Sequence, residues 1–193
     1  MSNALSRDLA RALRNNDYEV IDEGSIFVPK QNIRIAGEFV HSVNGCDERR
    51  DANLIVDEGL QQLLDVNFNS GTPITAWYCG LYSGNVSPVN TWTAANVTAN
   101  STEFTNYTQS TRVAWTSNGA ASLGPNSVSN SSSTAAFTIG TGGGTVWGAF
   151  LASASAKSAT SGKLNSASKF ASSRTLLAAD VLNIAYTVSM TSS

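Results

Sequence analysis

The first residues of the chain repeat leucine at helical spacing. Leu5, Leu9 and Leu13 recur every four positions, which predicts a short amphipathic helix over residues 4–15. The basic side chains of this segment share another face of that helix: Arg7, Arg11 and Arg14. A helix this short is marginal by itself in water. We therefore expect residues 1–32 to form a helical arm and strap, with these six side chains as the candidate partner-binding residues. Its leucines would dock either on the protein's own β-domain or on a neighbouring subunit.

From residue 33 onward, apolar and polar residues alternate, and residues 33–43 are therefore expected to form a half-buried strand. Asn44 and Gly45 follow directly, and this pair strongly favours a two-residue hairpin turn. The returning strand is expected to run over residues 49–56. The pattern thus predicts a β-hairpin at the start of the domain.

A short helix is expected to follow this hairpin, near residues 57–65. Its first turn contains Asp57 and Glu58, which favour the positive end of the helix dipole. Its apolar stripe is formed by Leu60, Leu63 and Leu64. The spacing of these leucines is that of one helix face.

The rest of the chain is rich in β-forming residues separated by turns. We expect strands over 74–82, 111–116, 134–139, 145–152, 162–170 and 180–190. Residues 83–106 are rich in Ser, Thr and Asn and predict a long loop. Strands at this spacing, without helices between them, favour an antiparallel sandwich. The predicted fold is therefore mainly β: a jelly-roll-like β-sandwich over residues 33–193, with helices only near 4–15 and 57–65.

Composition and charge narrow the functional classes. Only 13% of the residues are charged, against roughly 25% in a typical soluble domain, and this favours a surface that other subunits cover. Residues 1–65 contain seven bases and twelve acids, a net charge of −5, and residues 66–193 contain five bases and two acids, a net charge of +3. Neither half is basic enough to predict nucleic-acid binding. No apolar run approaches a membrane span, and the N-terminal residues lack a secretory pattern, so synthesis in the cytoplasm is expected.

Residues able to carry catalysis are scarce. His41 is the only histidine, which excludes a multi-histidine zinc site, and its place on an alternating strand favours a partly buried structural role. Cys46 and Cys79 have no partner at metal-ligand spacing, and Cys79 is expected to be a buried thiol. Carboxylate pairs can hydrolyse glycosides, but beyond residue 65 only Glu103 and Asp180 are acidic. The sequence therefore predicts neither an enzyme nor a cofactor.

A group of aromatic residues leaves a binding function open. It lies near one predicted strand and the loop that follows: Trp77, Tyr78, Tyr82, Trp92 and Tyr107. Exposed rings beside Asn and Ser could stack on sugars, as in lectin-like sandwiches. In the alternative interpretation Trp77 belongs to the core and Trp92 holds its own loop in place.

Several short runs, in a fixed order, resemble virion structural proteins of tailed bacteriophages. They are Asn53–Leu60, Ile74–Tyr82, Arg112–Trp115, Val146–Leu151 and Lys169–Phe170. The resemblance covers roughly residues 33–190 and does not include the N-terminal arm. Each run alone is a weak signature, and none is catalytic.

This resemblance implies a component of a virus particle, of the head-decoration or cement type. Such a protein would be made in the host cytoplasm, would be located in the virion and would bridge capsid subunits. Its expected partners are the major capsid protein and copies of itself, without nucleic acid or membrane. A tail or fibre-adaptor component, or a module that binds carbohydrate on the host surface, is the alternative.

Overall fold

The computed structural model describes residues 18–19, 28–29, 33–119 and 126–192. The helix predicted over residues 4–15, with its six candidate binding residues, lies outside the described residues. The chain divides into two compact units, Met1–Arg34 with Thr191–Ser193, and Ile35–Met190. In the first unit, strands β1 (Tyr18–Glu19) and β2 (Val28–Pro29) pair antiparallel. A domain boundary at residue 32 stays a prediction.

The predicted mainly β fold is confirmed. The remaining strands are β3 (Ile33–Val43), β4 (Cys46–Ala52), β5 (Leu54–Ile55), β6 (Trp77–Tyr82), β7 (Glu103–Phe104), β8 (Val113–Trp115), β9 (Ser127–Ser129), β10 (Ala135–Thr138), β11 (Gly144–Ala152), β12 (Leu164–Leu176) and β13 (Val181–Ser192). The helices in the described residues are α1 (Asp57–Phe68) and α2 (Val97–Ser101). The helix predicted near 57–65 is thus confirmed, and it continues to Phe68.

The strands of the second unit form two antiparallel sheets. Sheet 1 has the order β10-β13-β3-β4, and β9 pairs with β13. Sheet 2 has the order β5-β12-β11-β6-β7, and β8 pairs with β6. Between them lies the main hydrophobic core, to which sheet 1 contributes Phe39 and Phe137 and sheet 2 contributes Leu81 and Phe170. This is the β-sandwich that the alternating pattern predicts.

The hairpin at Asn44 and Gly45 is confirmed, but the strand that returns from it differs from its prediction. Both turn residues have positive φ, 52° and 73°, as the favoured two-residue hairpin turns require. The predicted strand over 49–56 is divided at Asn53. The part before it, β4, pairs with β3 in sheet 1, whereas the part after it, β5, pairs with β12 in sheet 2. The chain passes from one sheet to the other at this residue.

The prediction of a long loop over residues 83–106 holds for residues 83–96, which contain neither helix nor strand, and is wrong for the part that follows. The following part contains α2 and β7, and residues 86–97 pack on the outer face of sheet 2. Trp92 and Val97 from the segment form a second core cluster with Tyr82 and Phe150 from sheet 2. The expectation that helices lie only near 4–15 and 57–65 is wrong for the same reason. The centre of sheet 2 is consequently buried on both faces.

Two glycines in sheet 2 lie beneath aromatic rings of the neighbouring strand. Gly80 on β6 pairs with Phe150 on β11, and Gly148 on β11 pairs with Tyr82 on β6. A Cβ atom at Gly80 would lie 2.2 Å from Cζ of Phe150, and one at Gly148 would lie 2.1 Å from Cζ of Tyr82. Each ring therefore occupies the space that a side chain on the opposite strand would need.

We predict that Gly80→Ala lowers the free energy of unfolding by about 1–3 kcal/mol, the usual cost of overpacking a filled core. Chemical denaturation of the purified chain measures this. Shortening the ring restores room, so the double variant Gly80→Ala/Phe150→Leu should lose less stability than the two single losses added together. Strict additivity would show that the contact between ring and glycine does not constrain the sheet.

Candidate functional site

Helix α1 is fastened to sheet 2 by a close approach at Gly59. A Cβ atom there would lie 2.4 Å from the backbone oxygen of Asn165 on β12, so only glycine allows this spacing. Just before the helix, Val56 is fully buried, and its backbone N–H donates to the same oxygen at 3.2 Å. The first turn of α1 is therefore held directly against a central strand.

Side-chain hydrogen bonds hold the first turn and the middle of α1. The Oε2 atom of Glu58 accepts from the backbone N–H groups of Ala94 at 2.7 Å and Leu164 at 2.8 Å. One carboxylate thereby joins the helix to the covering segment and to β12. In the middle of the helix, Nε2 of Gln62 donates to the backbone oxygen of Thr72 at 3.2 Å. These contacts fix the orientation of the helix.

The apolar stripe of α1 faces outward. Leu60, Leu64 and Phe68 are 36%, 55% and 83% exposed, and they lie four residues apart on one face. Of the three leucines in the predicted stripe, only Leu63 turns toward the protein, where it lines a groove. Phe68 was absent from the predicted stripe because the predicted helix ended near residue 65, and the polar residues Asp65 and Asn67 do not indicate that it continues. A firmly held helix with such a face is typical of an interaction surface.

A groove of about 270 Å³ runs beside this face. It lies between α1 and the segment before β6, and its apolar walls are Leu63, Val66, Pro73, Ile74 and Trp77. The inward side of α1 therefore borders a concave apolar region that the residues of the exposed stripe do not line. We name the exposed stripe Leu60, Leu64 and Phe68 the α1 face.

The side chains of α1 carry negative charge only. Asp57, Glu58 and Asp65 are its charged residues, so residues 57–68 have a net charge of −3. Asp57 is exposed at the start of the α1 face and accepts a hydrogen bond from Nδ2 of Asn90 at 3.0 Å. Glu58 is turned inward, and its Oε1 atom lies 3.8 Å from Nζ of Lys163. The charge of Asp57 and Asp65 thus remains to favour a partner helix that is positively charged.

The histidine predicted to be structural lies in a buried polar cluster. Arg174 Nε donates to Nδ1 of His41 at 2.8 Å, so the neutral ring carries its proton on Nε2, which donates to Oδ2 of Asp51 at 2.8 Å. The ring stacks on Phe170 at 3.8 Å, and Arg174 also forms an ion pair with Asp47. The cluster joins hairpin β3–β4 of sheet 1 to β12 of sheet 2.

This arrangement explains why His41 is unsuited to catalysis. A general base needs a ring nitrogen that can reach a reacting group, and both nitrogens of His41 are engaged by Arg174 and Asp51. Burial lowers the pKa of His41 below its usual value; the hydrogen bond to Asp51 opposes this, and the Arg174 cation lowers the pKa further. His41 therefore stays neutral and structural at neutral pH, buried more fully than its sequence position predicted.

The acidic residues beyond residue 65 are also structural. The side chain of Glu103 is buried and forms a bidentate ion pair with Arg112. Nε of Arg112 donates to Oε1 at 2.9 Å, and Nη2 donates to Oε2 at 2.7 Å. The guanidinium also donates to the backbone oxygens of Ala154 and Ala159, so the pair holds the loop after β11. Asp180 accepts from Nδ2 of Asn44 at 2.8 Å and from the backbone N–H of Leu177 at 2.7 Å. Neither carboxylate lies beside the other as an acid-base pair.

The aromatic group considered for sugar binding lies mostly inside the protein. Tyr82, Trp92 and Tyr107 are buried, and Trp77 packs against the main core. Trp92 meets Tyr82 edge to face, with ring centroids 6.1 Å apart. The interpretation in which Trp92 holds its own loop is therefore correct, and the three buried rings are not available to stack on a ligand. Trp77 and Tyr78 are half-buried.

The described residues contain no group of three or more His, Cys, Asp or Glu side chains placed to hold a metal ion. Of the two cysteines, Cys46 is exposed. Cys79 is buried as predicted, and burial raises the pKa of its thiol to about 12. Among the helices in the described part of the chain, none is both long and apolar enough to cross a membrane.

We predict that mild acid destabilises the protein through His41. Its pKa in the folded chain lies below the usual 6.5, so the unfolded chain binds the proton first. The contribution of neutral His41 to the free energy of unfolding is therefore fully present above about pH 6.5 and is lost as the pH falls below that value. His41→Gln keeps a donor for Asp51 and an acceptor for Arg174 but does not titrate. Denaturation at pH 7 and pH 5 should show a smaller loss in this variant than in the wild type; equal losses would refute the assignment.

A second prediction concerns the buried ion pair. Arg112→Met leaves the Glu103 carboxylate buried without its partner, and we expect a loss of about 3–5 kcal/mol in the free energy of unfolding. Arg50→Met is the matched control, because Arg50 pairs with Glu38 and Glu48 at the surface and such pairs contribute little. Thermal and chemical denaturation of both variants test this. Equal stabilities of the two variants would contradict it.

Comparison with known proteins gave no match to a family model, to a curated protein or to a solved structure.

Proposed function

We propose that this chain is a non-enzymatic component of a virus particle, most specifically a capsid decoration protein that stabilises the head by bridging capsid subunits. The observation that carries the proposal is the α1 face, which presents Leu60, Leu64 and Phe68 outward on a helix held at its first turn and in its middle. Burying such side chains contributes roughly 1.5–3 kcal/mol each. Because α1 is already ordered in the free protein, binding of a partner does not include the free-energy cost of ordering this helix.

The polar residues support the same proposal. Some side chains are of types that can take part in catalysis, but they link strands and loops inside the protein: His41, Glu103 and Arg112. A protein that stabilises a shell must transmit load between its contacts, and such links favour a rigid body. The low share of charged residues in the chain, 13%, fits a protein surrounded by neighbouring subunits. The expected partners are the major capsid protein and further copies of this chain.

We predict that polar substitution of the α1 face lowers occupancy on particles. Leu64→Gln/Phe68→Gln removes apolar contact area from the surface. Both side chains are exposed and lie outside the core, so the variant should fold with nearly unchanged stability. The control is Leu177→Gln, because Leu177 is 72% exposed in the turn between β12 and β13. Particles that lack the protein are mixed with each variant, purified by sedimentation and assayed by quantitative gel.

The wild type and the Leu177→Gln control should bind to a similar level, and the double variant should bind several-fold less. Equal binding of all three would remove the α1 face from the proposal. Failure of the folded wild type to bind such particles at all would overturn the proposed function.

A further inference from the structure

Two properties of the α1 face point to one occupant. A helix that docks there must present an apolar stripe with four-residue spacing, to match Leu60, Leu64 and Phe68. The acids of α1 also favour a positively charged partner. We propose that the N-terminal segment 4–15 of a second copy of this chain docks on the α1 face. This inference rests on the proposed function and deepens it by naming the contact that links neighbouring copies.

The apolar positions of the two segments have the same spacing. Leu5, Leu9 and Leu13 recur at intervals of four, as do the three side chains of the α1 face. Two helices with such stripes can interdigitate their side chains along a shared line of contact. A segment whose sequence predicts only a marginal helix gains a partner for its apolar side in this way. Each buried leucine contributes roughly 1.5–3 kcal/mol before the cost of ordering the segment.

The charges distinguish this occupant from a second α1. Residues 4–15 contain Arg7, Arg11 and Arg14 against one acid, Asp8, and so have a net charge of +2. Residues 57–68 have three acids and no base, a net charge of −3. Contact between two α1 helices would place like charges together, whereas segment 4–15 brings the opposite sign. On the helix that the sequence predicts, the arginines would lie on a face away from the leucine stripe, so they would steer the approach over distance, an effect that salt weakens.

A single contact of this kind is small. Stable interfaces bury about 1,600 Å² in total, more than one three-turn helix can supply. One copy should therefore hold the next weakly in solution, and a lattice of copies should hold firmly through repetition. This is the behaviour needed by a protein that coats a shell and does not aggregate beforehand.

Disulfide trapping tests the proposal with the full chain. In a Cys46→Ser background, one preparation carries Leu9→Cys and another carries Leu64→Cys. The two are mixed with oxidised glutathione, which takes up the electrons as the disulfide forms. Cys79 is buried, with a thiol pKa raised to about 12, and stays unreactive. A third preparation with Leu177→Cys replaces the Leu64→Cys chain as the control for random collision, because Leu177 is exposed elsewhere.

The proposal expects mixed dimers of the Leu9→Cys and Leu64→Cys chains, several-fold above the Leu177→Cys control. Adding Phe68→Gln to the Leu64→Cys chain should reduce them. Dimers of Leu64→Cys chains with each other as the main product would show that two α1 helices pair, and would overturn the proposal. An internal disulfide in a chain carrying both Leu9→Cys and Leu64→Cys, formed without mixed dimers, would place the segment on its own domain and overturn it as well.

These outcomes separate this inference from the proposed function. Absence of mixed dimers, together with loss of particle binding by Leu64→Gln/Phe68→Gln, would leave the particle function standing and remove segment 4–15 as the occupant. Mixed dimers from a chain that binds no particles would support the contact and overturn the particle function.

Discussion

The contact of two aromatic rings with two glycines across strands β6 and β11 determines how sheet 2 is built. Phe150 of β11 lies over Gly80 of β6. Two residues along the same pair of strands, Tyr82 of β6 lies over Gly148 of β11. Both rings belong to the outer cluster with Trp92 and lie on the face opposite the main core. Their presence there requires a further layer, because exposed rings of this size would be costly in water. Residues 83–101 supply that layer, and α1 is anchored beside it.

The position of α1 follows from this arrangement. Glu58 accepts from Ala94 in the covering layer and from Leu164 at the start of β12, so the helix is held where the layer meets the sheet. Gly59 then brings the helix backbone against Asn165. With this side fixed, Leu64 and Phe68 have no part of the described domain to pack against and remain exposed. The proposed contact surface is thus a consequence of how sheet 2 is covered.

The sequence predicted those elements whose signal is local. The alternation over β3, the Asn44-Gly45 turn and the acids at the start of α1 all depend on neighbours within a few residues, and the structure confirms each. The layer over residues 83–106 was missed because its buried residues are few and irregularly spaced, with small residues such as Ala94 among them. The transfer of the chain from sheet 1 to sheet 2 at Asn53 has no local signal in the sequence, because it depends on pairing with distant strands.

In the candidate site, too, the features with a local sequence signal could be predicted and the others could not. The leucines of α1 were visible as a stripe, but their exposure depends on the side from which Gly59 approaches β12, which no local pattern records. His41 could be assigned a structural role from its strand position, whereas its contacts with Arg174 and Asp51 join residues up to 133 positions apart. Such contacts become predictable only when the sheets are assembled.

The copy number of this chain in purified particles, relative to the major capsid protein, tests the central claim most directly. A quantitative gel or mass spectrometry with labelled standards measures it. A protein that bridges capsid subunits over the whole shell should be present in a fixed and large ratio to the capsid protein. A ratio corresponding to a few copies at one vertex, or absence from the particle, would contradict a decoration role.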